Sequence, residues 1–226
     1  MNAPTYHNNM LQGSDEWHAA RCGVLTASTV KSLFTTKGAP SFAAGTKNFA
    51  LEKAAERVTQ WVEPQFYTQA MARGHRDEEI ARDIYSAHHA PVEETGFVTR
   101  KIGDTAVIGY SPDGLVGSDG LIEVKSRAQK YQMQTIVNDT VPREYLWQIQ
   151  TGLLVTGRKW CDFISFCGGM AMFVCRVEPD ADMQADIATR AIAFDAEVRE
   201  YVEQYHALAA DCIVPDRPAE DAEMYL

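Results

Sequence analysis

The chain has 226 residues, of which 46% are hydrophobic and 23% are charged, and its formal net charge at pH 7 is −10. This composition favours a packed core and excludes a mainly disordered chain, and the acidic balance argues against a protein that coats nucleic acid by bulk charge attraction. No apolar run reaches the length of about 18 residues that a membrane span requires, and the N-terminus lacks the pattern of a secretory signal. We expect one domain over residues 1–226, with an acidic, mobile tail from about residue 213.

The cysteines favour a reducing compartment. There are five, an odd number, and they are scattered along the chain without a CxxC pair. A disulfide framework and a structural zinc site are therefore not expected, and the cytoplasm is the predicted location.

The first part of the chain is predicted to be helical. Ser14 is a suitable N-cap for a helix that runs to about Arg21, and a second short helix begins at Thr26 and continues through Leu33. Residues 35–47 are small and polar, which predicts a surface loop. Longer helices with an apolar stripe are predicted at about 48–61 and 67–88.

After residue 93 the apolar pattern changes from the helical period to that of strands. Strands are predicted at 94–100, 106–110 and 121–125. Helices at about 129–137 and 142–154, a hairpin of strands at 159–166 and 170–177, and a long helix at 182–209 complete the chain. This order predicts an α/β fold with a mixed central sheet flanked by helices.

Two neighbouring segments suggest chemistry: Ser111-Pro112-Asp113-Gly114-Leu115 and Glu123-Val124-Lys125. Residues two apart on a strand point to the same face, so Glu123 and Lys125 can meet beside the Asp113 turn. Each part alone has a plainer interpretation, an ordinary turn for Asp113 and an ion pair for Glu123 with Lys125. Together, two carboxylates and an amine suit a divalent cation and an attacked phosphate, which predicts metal-dependent phosphodiester hydrolysis.

Each member of this set has a predicted role. Asp113 and Glu123 are candidate metal ligands, and the carbonyl of Val124 can add a neutral oxygen. Lys125 can hold the attacking water or offset charge on the phosphate. Glu78 is a further candidate ligand, although the charged residues around it are also typical of a solvated helix face.

Five separated motifs follow one another over residues 12–157. They are Trp17-x-x-x-Arg21-x-Gly23-Val24-Leu25-Thr26-Ala27-Ser28, Gly74-x-x-x-Glu78-x-x-Ala81-Arg82, Ser111-Pro112-Asp113-Gly114-Leu115, Glu123-Val124-Lys125 and Gln148-Ile149-Gln150. In content and order they resemble the phage lambda exonuclease family of alkaline exonucleases, YqaJ-like viral recombinases of the PD-(D/E)xK nuclease superfamily.

The resemblance implies a nuclease-like core and a 5′-to-3′ exonuclease of phage or prophage recombination. Such an enzyme digests one strand of double-stranded DNA, releases 5′-mononucleotides and leaves a 3′ single strand. The resemblance also implies a pair of Mg²⁺ ions, which Mn²⁺ can replace, and a homotrimeric ring around the DNA. The implied partners are DNA ends and a single-strand annealing protein in the cytoplasm of a bacterial host, with no membrane.

The resemblance also implies roles for individual residues. The metal and catalytic set comprises Glu78, Asp113, Glu123, Val124 and Lys125, and Gln148 places the nucleophile or the phosphate. Arg21 and Ser28 match a 5′-phosphate pocket, and Met71 matches an apolar wedge at the DNA end.

General physical chemistry is compatible with the last of these roles. Arg21 can form a bidentate pair with a phosphate, and Ser28, near a predicted helix N-terminus, can donate to an anion. Without the resemblance, the plainer interpretations are favoured for Arg21, as an exposed helix end, and for Ser28, as a simple cap. For Met71, a core residue of the helix is an interpretation at least as strong as the wedge. Loop 35–47, with Lys37 and Lys47, is a candidate grip on the duplex.

Further basic residues near the motifs can line a DNA channel, namely Arg73, Arg76, Lys101, Arg127, Lys130 and Arg143. Two other functions are compatible with the motifs. A restriction-type endonuclease would share the core but would not need Arg21, and a non-catalytic DNA-end-binding protein would not need the complete acid–acid–lysine set.

Overall fold

A computed structural model describes residues 2–63 and 68–217. The strands are β1 (Thr5–His7), β2 (Leu25–Thr26), β3 (Phe97–Ile102), β4 (Ala106–Tyr110), β5 (Gly114–Val116), β6 (Gly120–Ser126), β7 (Trp160–Phe166) and β8 (Phe173–Val177). The helices are α1 (Asp15–Arg21), α2 (Ala44–Thr59), α3 (Gln69–His88), α4 (Gln129–Asn138), α5 (Arg143–Thr156) and α6 (Ala181–Leu208), with a 3₁₀ helix at Val30–Leu33. The predicted start of the helix at 67 and the tail beyond 217 lie outside the described residues.

The strands confirm the α/β class but divide between two sheets. One four-stranded sheet has the order β1-β3-β4-β2 and the other β5-β6-β7-β8. Each sheet is mixed, because β2 pairs with β4 and β6 pairs with β7 in parallel while the other neighbours are antiparallel. The single central sheet of the sequence prediction is therefore replaced by two smaller mixed sheets.

One apolar cluster packs against both sheets. It includes Ile108 of β4, Leu121 of β6, Leu153 of α5 and Phe194 of α6, all of them buried. Burying a side chain of this size stabilises the fold by about 1.5–3 kcal/mol. Helix α5 is buried on most sides from Ile149 onward, so it fixes the position of both sheets.

The segment after α1 differs from its predicted helix. Leu25 and Thr26 form β2, and the backbone N–H of Ala27 donates to the carbonyl of Gly109 at 2.8 Å. The hydroxyl of Thr29 bonds back to the carbonyl of Thr26, a local bond that competes with helix formation. Only the 3₁₀ helix remains of the predicted element.

The predicted loop 35–47 is shorter than expected, because α2 already begins at Ala44 and Lys47 is helical. The N-cap, Ala43, has no capping side chain, which removes the signal that marks a helix start in a sequence. Tertiary contacts secure the first turn instead, since the Thr46 hydroxyl bonds to Ser41 and to the carbonyl of Ser32.

The close approach of two backbone segments at Gly96 predicts a large cost for any side chain there. A Cβ at Gly96 would lie 1.9 Å from the Met10 carbonyl oxygen and 2.9 Å from that of His7. Because these are backbone atoms, Gly96→Ala should lower the free energy of unfolding by about 1–3 kcal/mol in urea denaturation. The control is Gly45→Ala, where a Cβ meets nothing within 4 Å. Equal stability of the two variants would contradict this packing.

Within residues 2–63 and 68–217, no helix combines the length and the apolar character needed to cross a membrane.

Candidate active site

The end of β6 brings together the residues of the acid–lysine motif. Glu123 and Lys125 lie on one face of the strand, with Lys125 Nζ 2.5 Å from Glu123 Oε1. Asp113 lies in the turn between β4 and β5, and its Oδ2 accepts a hydrogen bond of 2.6 Å from the backbone N–H of Val124. The β5–β6 pairing therefore holds the Asp113 turn directly beside the strand that carries the other two groups.

Glu123 is fully buried and is held by three donors. Its Oε1 accepts from Lys125 and from Nε2 of Gln148 at 2.5 Å, and its Oε2 accepts from the Tyr110 hydroxyl at 2.8 Å. Burying a carboxyl group is costly unless such donors replace its lost contacts with water. The orientation of Glu123 is thus set from α5, β4 and β6 together.

Glu78 on α3 faces the same region. Arg82, one helical turn further on, places Nη2 2.6 Å from Glu78 Oε1 and donates from Nε to the backbone carbonyl of Asp113 at 2.9 Å. Burial raises the pKa of Glu78, and the negative charge of Glu123 raises it further. We call Glu78, Asp113, Glu123, Lys125 and Gln148 the catalytic cluster, after the role that the sequence predicts for them.

The catalytic cluster has an excess of negative charge. Burial raises the pKa of Asp113 well above its ordinary value, and the charges of Glu123 and Glu78 act in the same direction. Burial alone would lower the pKa of Lys125, but the carboxylates of Glu123 and Asp113 outweigh it, so the pKa is raised. Three acids face two cations, Lys125 and Arg82, so the site has one acid in excess, whose charge a further cation would balance.

The donor set fits a hydrated Mg²⁺ ion. Over the two described ranges, no group of three or more His, Cys, Asp or Glu side chains is placed to hold a metal ion on its own. Glu123 and Glu78 instead bond to Lys125 and Arg82. Mg²⁺ retains several waters and binds through only one or two carboxylates, so the oxygens of Asp113 and Glu123 suffice for it.

A small cavity of about 140 Å³ adjoins the catalytic cluster, and we call it the Arg21 cavity. Its lining residues are Trp17, Arg21, Thr26, Ala27, Ser28, Tyr110, Ser111 and Gln148. Tyr110 and Gln148 also donate to Glu123, so the cavity and the catalytic cluster share two walls.

Arg21 presents a partly buried positive charge to this cavity. Its guanidinium lies 4.1 Å from the centre of the Trp17 ring, and its Nη1 donates to Ser111 Oγ at 3.0 Å. Burial lowers the pKa of Arg21 to about 10, while the charge of Glu56 acts in the opposite direction. Among the described residues Arg21 forms no ion pair, so its charge is available to an anion.

Two other predicted site residues occupy different surroundings from those expected. Ser28 lines the Arg21 cavity, but only a four-residue 3₁₀ helix follows Thr29, so a helix dipole does not support anion binding there. The Ser28 hydroxyl remains, 3.3 Å from that of Thr26. Met71 is 43% exposed in the first turn of α3, which excludes a buried core role, and it does not line the cavity.

Three contributors to the site had no role assigned from the sequence. Tyr110 orients Glu123, Arg82 connects Glu78 to the Asp113 turn, and Ser111 accepts hydrogen bonds from both Arg21 and Trp17. Ser111 and Arg82 lie inside the motifs, which was an available signal. Tyr110 directly precedes the Ser111 motif, but as the last residue of an apolar strand its residue type gives no signal for a role in the site.

The part of the chain that contains these residues also matches known proteins. Residues 16–159 match the model of the YqaJ-like viral recombinase domain. The crystal structure of LHK-Exo, an alkaline exonuclease from Laribacter hongkongensis, is 35% identical over 88% of this chain and 100% of its own, with a TM-score of 0.77. The same protein in complex with dAMP gives the same values.

A phage-related exonuclease from Haemophilus somnus 129PT shares the fold at 12% identity, over 82% of this chain and 96% of its own, with a TM-score of 0.53. No curated protein sequence matches the chain significantly.

Proposed function

The chain belongs to the YqaJ-like viral recombinase family, and on that basis we propose that it is a Mg²⁺-dependent exonuclease that digests one strand of duplex DNA from its 5′ end. One observation carries the proposal: a partly buried arginine with no ion pair among the described residues faces a small cavity that shares Tyr110 and Gln148 with an acid–acid–lysine cluster. A strand that ends in a phosphate would fit with its terminal group in the cavity and its first internal phosphodiester at the catalytic cluster.

The Arg21 cavity would select the strand end. Arg21 can bind two oxygens of a terminal phosphate, and Ser28 can donate to a third. Stacking on Trp17 and the bond to Ser111 hold the guanidinium in place before DNA arrives, which reduces the ordering cost of binding.

Asp113, Glu123, Glu78 and the carbonyl of Val124 are the groups that would hold Mg²⁺, with Mn²⁺ as a substitute. Bound Mg²⁺ would act as a Lewis acid on the phosphate oxygens and lower the pKa of its water. Lys125, kept charged by its neighbouring carboxylates, would offset negative charge on the phosphate or hold the attacking water. Gln148 would keep Glu123 oriented and contribute to the wall beside the terminal nucleotide.

Hydrolysis at this position would release a 5′-mononucleotide and create a new terminal phosphate. That group would be attracted into the Arg21 cavity, which would move the enzyme one nucleotide forward. Met71, exposed at the start of α3, would separate the terminal base pair as an apolar wedge. A homotrimeric ring, a cytoplasmic location and a single-strand annealing partner for the 3′ strand complete the proposal.

The Arg21 cavity favours this function over a restriction-type endonuclease. An endonuclease cuts internal bonds and needs no pocket for a terminal phosphate, so the partly buried arginine there would have no ligand. A non-catalytic end-binding protein would in turn have no need for the three acids and the lysine of the catalytic cluster.

Metal dependence and the requirement for an end can be tested together. With Mg²⁺, the protein should convert linear duplex DNA to mononucleotides and leave a closed circle intact, and EDTA should stop the reaction. The reason is that the negative charge of the catalytic cluster repels a phosphate unless a cation is bound. Cutting of the closed circle would indicate an endonuclease, and digestion that continues in EDTA would contradict the metal site.

A further inference from the structure

A second groove begins beside the catalytic lysine. It has a volume of about 620 Å³ and is lined by Arg73, Arg127 and Lys130, together with Asp77. It shares no lining residue with the Arg21 cavity. We call it the Lys130 groove.

The Lys130 groove adjoins the catalytic cluster through Tyr145. The ring centre of Tyr145 lies 5.7 Å from Lys125 Nζ and 5.1 Å from Arg127 Cζ. Ser126 lies between Lys125 and Arg127 in the sequence, and its Oγ is 3.2 Å from Nε of Arg73. The groove therefore continues from Lys125, while the Arg21 cavity adjoins Glu123.

Charge in the Lys130 groove is reversed relative to the whole chain, whose net charge is −10. Three cations line it with one acid, Asp77, which accepts a hydrogen bond of 2.5 Å from Ser126 and forms an ion pair with Arg73 at 4.0 Å. Such a local excess of positive charge on an acidic protein suits a phosphate.

Arg127 is the most informative of the three cations. Its side chain is only 9% exposed, and its contacts to Glu144 and Tyr145 both run through Nη1. Its buried Nε has no hydrogen-bond partner among the described residues. The groove thus borders a largely buried cation whose ion pair, at 3.4 Å, is with the exposed Glu144. A buried positive charge of this kind favours an anion in the groove.

Helix α4 adds donors at the same place. The helix begins at Gln129, and its N-cap, Ala128, offers no side-chain acceptor to the first backbone N–H groups. Ala128, Gln129 and Lys130 all line the groove. Free N–H groups at a helix start favour an anion, here in addition to the three cations.

We propose that the Lys130 groove binds a backbone phosphate of the digested strand, on the 3′ side of the bond that is cut. This inference rests on the proposed function. A terminal phosphate at Arg21 and a scissile phosphate at Glu123 and Lys125 direct the rest of the strand towards Tyr145 and Arg127. The groove holds the strand on the 3′ side of the scissile phosphate, while the Arg21 cavity holds it on the 5′ side. The reacting phosphate is therefore positioned by a contact on each side.

Binding to DNA without cleavage tests this role. We would measure the dissociation constant of a 5′-phosphorylated duplex by fluorescence anisotropy in EDTA, over a range of salt concentrations. Arg127→Gln should weaken binding about tenfold. It should also reduce the slope of log K against log salt by about one. Lys130→Gln, in the first turn of α4, should act in the same direction with little effect on stability, because the side chain is exposed.

The matched control is Lys159→Gln. Lys159 is exposed and pairs with Asp119 beside the opposite end of β6, so its loss should change neither the affinity nor the salt slope. If the wild-type protein binds and digests DNA but Arg127→Gln and Lys130→Gln behave like this control, the groove inference alone is overturned. If the wild-type protein neither binds nor digests duplex ends, both the proposed function and the groove inference are overturned.

The phosphate that the Lys130 groove binds can be identified by replacing one backbone phosphate of the digested strand at a time with an uncharged methylphosphonate. At the position 3′ to the scissile bond, this change and Lys130→Gln should be non-additive, because each removes the same contact. Additive effects at every position, together with weaker binding of free dAMP by the variants, would mean that the groove takes a released mononucleotide, and would overturn the inference.

Discussion

Asp113→Asn is expected to lower the rate of DNA hydrolysis by roughly 10³-fold while the fold stays intact. The amide has the shape of the carboxylate, and its oxygen can still accept the N–H of Val124, so the turn beside β6 should persist. What is lost is the negative charge that the catalytic cluster offers to a metal ion. The rate should be measured under single-turnover conditions at saturating Mg²⁺, with the thermal unfolding midpoint measured in parallel.

The control for this variant is Asp119→Asn. Asp119 precedes the opposite end of β6, where it pairs with exposed Lys159 at 2.8 Å, and its loss should leave the rate unchanged. A variant Asp113→Asn that keeps wild-type activity would show that the chemistry takes place elsewhere. An equal loss in both variants would point to general damage to the second sheet instead of a lost metal ligand.

Arg21→Gln is expected to remove the preference for a phosphorylated 5′ end. A hydrogen bond to a charged group contributes about 1.5–3 kcal/mol, so the rate on 5′-phosphorylated duplex should fall roughly 10- to 100-fold. The rate on a 5′-hydroxyl duplex should change little, because that substrate has no group for the cavity to bind. Ser28→Ala should shift the same ratio less, since it removes one neutral donor.

The two substrates serve as internal controls for the Arg21 experiment. Arg199→Gln is a matched variant, because Arg199 lies on α6 and pairs with Asp195, away from the cavity lining. Equal losses on phosphorylated and hydroxyl ends would mean that Arg21 supports the local fold through Trp17 and Ser111 and does not bind the terminal phosphate.

The elements that the sequence predicts best are those whose periodic apolar pattern continues over many residues or whose first residue is a clear N-cap. Helix α6 is displaced by one residue at each end from its prediction, and Ser14 caps α1 by accepting from the N–H of Trp17. The meeting of Glu123 and Lys125 followed from strand geometry alone. For these features local sequence and tertiary packing favour the same structure.

The features that were not predicted depend on distant partners. Strands β1, β2 and β5 have two or three residues each, too few to show an alternation, and they exist because β3, β4 and β6 offer them hydrogen bonds. The division into two sheets has the same cause. The contact of Tyr110 with Glu123 requires Gly152, since a Cβ there would lie 2.8 Å from the tyrosine ring.

The polarity of digestion tests the central claim most directly, because the Arg21 cavity is proposed to receive a 5′-terminal phosphate. The measurement is a time course on linear duplex DNA labelled separately at its 5′ and 3′ ends, with Mg²⁺. The account predicts that the 5′ label appears first, as a mononucleotide, while the 3′ label stays on a long single strand. Early release of the 3′ label would contradict the placement of the strand end in the Arg21 cavity.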